Sequence, residues 1–136
     1  MKLYLYFIGK PRDASANRLA ADYVDRIARF TRIEMREIRP GRFDPWERHP
    51  QALKVCLDPA GRAMDSATLA RWLQAAARDV VFVVGGHDGL PPGWRSRADL
   101  SLSLSSMTFP HELARVLLAE QIYRALATAR GHPYPR

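Results

Sequence analysis

Three short segments concentrate the side chains and bare backbone that can handle a small ligand. Gly85-Gly86-His87-Asp88-Gly89 follows an apolar run, and its glycines let N–H and C=O groups approach a bound molecule closely. It is neither G-x-G-x-x-G nor a Walker loop, because no G-K-[ST] follows, and a plain tight turn accounts for a glycine pair equally well. Ser105-Ser106-Met107-Thr108-Phe109-Pro110-His111 gathers hydroxyls, a thioether, an aromatic ring and an imidazole around a helix start. Thr108 and Pro110 are also ordinary helix punctuation, Met107 and Phe109 read first as core, and His111 reads first as a surface or hydrogen-bonded histidine. Asp58-Pro59-Ala60-Gly61 is the third segment. Glu120, set among Val116, Leu117, Leu118, Ile122 and Tyr123, is either a half-buried carboxylate or the polar stripe of a helix. The tail Gly131-His132-Pro133-Tyr134-Pro135-Arg136 can stack on and clamp a nucleotide base, or simply fray. Metal-ligating spacing, a nucleophile elbow and a paired-carboxylate motif are all missing, so metal, nucleophilic and glycosidase mechanisms have no support.

The elements that must position these segments follow from periodicity. Lys2–Ile8, rich in aromatic and β-favouring residues, reads as a strand ending at Gly9, and Ile33–Ile38 as a second. Asp13–Phe30 carries Leu19, Tyr23, Val24 and Ile27 at helical spacing. Arg39–Pro50, with three prolines, a glycine and Trp46, reads as a loop or exposed arm. Val55–Leu57 is a short strand stopped by Asp58-Pro59-Ala60-Gly61, and Ser66–Arg78 a helix with Ser66 as N-cap. Val80–Val84, wholly apolar, suits a parallel strand buried on both faces. Leu100–Leu104 is a further strand, and Met107–Pro110 opens a long helix that ends at Gly131. The order predicts one α/β domain with right-handed crossovers. Ligands of such sheets bind beyond the carboxyl ends of the strands, which is where all three segments fall.

The composition limits the class of protein. With 136 residues, 47% apolar and 26% charged, the chain has the size of one ordinary globular domain. A lone Cys56 excludes an intrachain disulfide framework and fits a reducing compartment. After Lys2 only six apolar residues precede Gly9, too few for a secretory signal, and no apolar run can span a bilayer. The expectation is a cytoplasmic protein without a membrane partner. Eighteen of the 21 basic residues are arginine, and the formal net charge is +7, spread along the chain with no basic tail. Such a field raises encounter rates with polyanions, RNA foremost, although an arginine-rich surface bias would give the same count.

The segments taken together resemble a known family. Val81 through Leu90, Leu102 through His111, Glu120-Gln121-Ile122-Tyr123-Arg124-Ala125 and His132-Pro133-Tyr134 closely resemble SPOUT-class methyltransferases of the bacterial RlmH type. Met1-Lys2-Leu3, Gly9-Lys10 and Leu57-Asp58-x-x-Gly61 match as well, so the similarity runs nearly end to end. The resemblance implies S-adenosylmethionine-dependent methylation of N3 of a pseudouridine in 23S ribosomal RNA by a homodimer, and the small surface of a 136-residue subunit points to an assembled ribosome as substrate. It implies a single domain spanning 1–136, a mostly parallel sheet flanked by helices, and a trefoil knot formed by roughly 54–136. Cofactor contacts fall by the same resemblance on Leu57, Gly85, Leu104, Ser105, Ser106, Met107, Thr108 and Phe109. His111 would act as base or orienter, with Tyr134 and Arg136 gripping the base or phosphate; no metal is implied. Related alternatives are a SPOUT methyltransferase for another RNA, such as tRNA, and a non-catalytic RNA-binding module. This chain departs from the pattern twice: it is short between Arg39 and Val55, where a further helix is usual, and it has proline, not histidine, after Tyr134.

Overall fold

Alternating apolar segments and helical stretches assemble into one five-stranded sheet. A computed structural model of the chain describes residues 1–134. The strands are β1 (Lys2–Ile8), β2 (Arg32–Ile38), β3 (Leu53–Ala63), β4 (Val80–Val84) and β5 (Leu100–Ser103). They lie in the order β2-β1-β4-β3-β5, and every pair is parallel. The all-apolar β4 is buried along its whole length between β1 and β3, as its composition requires.

The helices are α1 (Ala14–Ile27), α2 (Pro45–Arg48), α3 (Ser66–Ala76) and α4 (His111–Ala129). α1, α3 and α4 share the face of the sheet formed by Leu3, Leu5, Val80, Phe82 and Leu102. The opposite face, with Tyr6, Cys56, Val81 and Val83, is covered by the chain around α2, whose Trp46 is 3% exposed. Trp46 therefore fills core and does not ride on an exposed arm. Its indole N–H donates to the Trp94 carbonyl at 3.0 Å, which satisfies the one polar atom that burial would strand.

Three further local expectations change in the folded chain. Leu19 is 49% exposed, because α1 turns its small residues Ala16 and Ala20 inward, where they meet Val116 of α4. The N-cap of α3 is Asp65, whose carboxylate accepts the Thr68 N–H at 2.7 Å. Ser66 instead donates its hydroxyl to Gln121 on α4 at 2.6 Å. Most consequential, β3 does not stop at Asp58. Leu57 and Arg62 both pair with Leu102, so the four intervening residues loop out of the sheet and the strand then resumes. Gly61 makes this return possible: a Cβ there would sit 2.5 Å from the Ser101 carbonyl oxygen.

Candidate active site

The carboxyl ends of β3, β4 and β5 open into one cleft of about 570 Å³, within the usual range of small-molecule sites. The looped-out segment of β3 forms one wall through Leu57, Asp58 and Pro59. The turn after β4 forms the second, closed by the Gly89 N–H donating to the Gly86 carbonyl at 3.0 Å. Gly85 has no room for a side chain, since a Cβ would lie 2.8 Å from the Gly89 carbonyl carbon. The glycine pair thus makes both a tight turn and a binding wall. The third wall is the passage from β5 into α4, with Leu104, Ser105, Met107, Thr108, Phe109 and His111.

Of the eight residues assigned to cofactor contact from the sequence, seven line this cleft. Ser106 does not; it is exposed. Met107 is 71% exposed at the mouth, so it is not a core residue. His111 is the first residue of α4 and half-buried, and its Nε2 faces Gly9 at the end of β1, 3.7 Å from where a Cβ would stand. α4 begins there without a side-chain cap, which leaves its first N–H groups without side-chain partners at the cap.

Two side chains hold these walls in place. Buried Ser103 sets its hydroxyl between the carbonyl oxygens of Pro59 (3.0 Å) and Ser105 (2.9 Å), tying the first wall to the third. Asp58 holds the looped segment in shape by accepting the Ala60 N–H at 2.8 Å, and it pairs with Arg95 at 2.7 Å. Alternation of serine with leucine reads only as a strand, so neither contact was visible without the loop that β3 makes.

The match to known proteins is decisive at this point. Residues 1–135 fit the family described as "Predicted SPOUT methyltransferase". The chain belongs to the SPOUT methyltransferase family. It is similar, at 60% identity over 139 residues and the full length of both chains, to the ribosomal RNA large subunit methyltransferase H of Solibacter usitatus (strain Ellin6076). Among solved structures, a probable methylase family protein from Haemophilus influenzae Rd KW20 superposes with a TM-score of 0.63 at 11% identity, over 99% of this chain and 70% of that one. The SpoU methyltransferase AviRb from Streptomyces viridochromogenes, solved in complex with the cofactor AdoMet, gives a TM-score of 0.57 at 12% identity, over 96% of this chain and 61% of that one. These structural likenesses speak to the fold.

The cleft of this SPOUT chain suits S-adenosylmethionine in its chemistry. Its walls are largely apolar, with Val84, Leu102 and Leu104 for an adenosine, and Asp58 is the one carboxylate among the described lining residues, opposite in sign to a sulfonium. The tail lies elsewhere. The Tyr134 hydroxyl is 3.0 Å from the Glu120 carboxylate and 3.3 Å from the Tyr23 hydroxyl, and its ring meets Tyr123 edge-on at 4.6 Å. Burial, then the hydrogen bonds to Tyr23 and Glu120, push the Tyr134 phenol above its ordinary pKa. Glu120 is the half-buried carboxylate of the two alternatives, and Arg124 binds it at 2.7 Å. Glu120 stands nine residues along α4 from His111, about 13 Å up the helix axis. One chain therefore does not bring Tyr134 and His111 together. Arg136 lies outside the described residues. No helix among them is long and apolar enough to cross a membrane.

Proposed function

We propose that this SPOUT chain transfers a methyl group from S-adenosylmethionine to N3 of a pseudouridine in 23S ribosomal RNA. The observation that carries this is the convergence of the three strand-end segments on one apolar cleft, in a chain 60% identical end to end to a ribosomal RNA large subunit methyltransferase H. When bound, the donor supplies an activated methyl carbon on a sulfonium leaving group. The chain's own task is to hold the nucleophile in line, exclude water and remove one proton. The wall of Leu57, Gly85 and Leu104 through Phe109, Ser106 excepted, holds the donor. His111, at the cleft and at the start of α4, accepts the N3 proton or orients the base so that its lone pair can attack. A new N–CH3 bond forms as the C–S bond breaks, and the donor leaves as its neutral thioether.

Tyr134 and Arg136 would grip the target base or its phosphate. Since Tyr134 docks far from its own chain's His111, a second copy must deliver it, and we infer a homodimer. Exposed Leu19 on α1 and Leu113 and Leu117 on α4 are the apolar side chains offered for that contact. The same reading takes 1–136 as one domain whose last two-thirds form a trefoil knot, working in the cytoplasm on an assembled ribosome. The diffuse +7 charge would supply the sequence-independent part of RNA affinity. Incubating the protein with tritiated donor and a mixture of ribosomes and tRNA tests the reading. Label in ribosomal RNA is expected; label confined to tRNA, or none, would overturn it.

A further inference from the structure

We propose that Asp58 and Arg95 form the subsite for the zwitterionic amino-acid end of the methyl donor, Asp58 facing its ammonium group and Arg95 its carboxylate. The inference rests on the function proposed above and adds what recognises the donor's charged end.

The cleft has an apolar interior and, among the described residues, one ion pair that includes a lining residue. Asp58 supplies the one formal carboxylate among the described lining residues, and no lysine or arginine lines the walls. Arg95 reaches Asp58 from the 3-10 turn Arg95–Arg97, which lies between β4 and β5, with Nη1 to Oδ2 at 2.7 Å. Its other amino group is 3.4 Å from the Ala60 carbonyl oxygen. The two side chains are 19% and 51% exposed, so the pair sits at a wet rim and not inside.

The donor is built the same way. Its adenine ring offers flat faces to apolar side chains, and both charges of its amino-acid end lie at the far tip. Burying those charges among Val84, Leu102 and Leu104 would cost several kcal/mol without partners, so the tip belongs at the rim. The pair there matches it charge for charge. On binding, ammonium meets Asp58 and carboxylate meets Arg95, so both charges of the amino-acid end are paired. A carboxylate has about four acceptor sites, so Asp58 can take an ammonium while its Oδ1 keeps the Ala60 N–H that shapes the wall. Arg95 offers its planar fork to a carboxylate. Asp58→Asn keeps an acceptor oxygen for the Ala60 N–H and Arg95 is 51% exposed, so both replacements leave the fold intact.

Calorimetry with three probes tests this: S-adenosylmethionine, S-adenosylhomocysteine, and 5′-methylthioadenosine, which lacks the amino-acid end. Asp58→Asn and Arg95→Gln should each weaken the first two by about tenfold, while methylthioadenosine stays within about twofold of its affinity for the unaltered protein and so reports an intact wall. Equal loss of all three probes would make the pair a mere brace for the loop and overturn the proposal. Unchanged binding of all three would also overturn it, as would a loss confined to S-adenosylmethionine, which would point to the sulfonium. If the unaltered protein binds none of the probes, the function beneath the proposal fails. If it binds them and both variants bind equally well, only the subsite fails.

Discussion

In the proposed reaction, His111 is the side chain on which the chemistry turns. It opens α4, lines the cleft and faces the end of β1. His111→Ala should lower turnover by about 100-fold or more, the usual worth of a positioned acid–base group. Donor affinity by calorimetry should stay within about twofold, because the apolar walls hold the adenosine. Unchanged turnover would remove His111 from the mechanism. Much of this site was legible in the sequence, since the rule that ligands sit beyond parallel strand ends picked out all three walls. Ser106 was not: nothing in S-S-M-T-F-P distinguishes the side chains that turn inward from those left in water. Ser103 was missed for a different reason. Its role depends on the Pro59 carbonyl, 44 residues away in sequence.

At the scale of elements, the chain around α2 stands where the resemblance anticipates a longer helix, and it closes the second face of the sheet with aromatic rings. His49 lies 4.0 Å from the Tyr4 ring and hydrogen-bonds the Tyr6 hydroxyl at 2.7 Å. Burial pushes the Tyr6 phenol up to about 12. Burial first, then the Arg48 charge, holds the His49 imidazole below its ordinary value. The folded state thus binds fewer protons than the unfolded chain, whose histidine titrates near about 6.5. The stability His49 contributes is fully present above that pH and is lost as the pH falls through the lower folded value. Urea midpoints measured from pH 7 down to pH 5 should fall, and His49→Gln should flatten that slope; an identical slope would contradict the assignment. Trp46→Ala should cost about 3–5 kcal/mol, the usual range for deleting a buried large aromatic, read from the same urea curves. A loss under 1 kcal/mol would mean the segment is only draped on the sheet. Composition could not show this, because three prolines and a glycine give no periodic signal. Tertiary burial of Trp46 against Trp94 decides it. The looped β3 was hidden likewise: Asp-Pro-Ala-Gly is turn chemistry, and only pairing of both flanks with Leu102 reveals that the strand resumes.

The whole molecule presents one sheet, three long helices on one face and exposed leucines on α1 and α4. Leu113 and Leu117 are 48% and 40% exposed one turn apart on α4, with Leu19 on α1 49% exposed. Leu113→Glu with Leu117→Glu should convert a dimer into a folded monomer by light scattering; the fold should survive, because neither side chain is buried. A dimer that persists unchanged would move the interface elsewhere. Helical spacing alone assigned Leu19 to the core, since periodicity locates an apolar face but not what covers it. The central claim concerns one atom of one nucleotide. Ribosomes from a strain lacking this gene, treated with the purified protein and S-adenosylmethionine, can be digested and their 23S nucleosides separated by mass spectrometry. One pseudouridine should gain a single methyl group at N3. A methyl group found elsewhere, or on tRNA alone, would contradict the account.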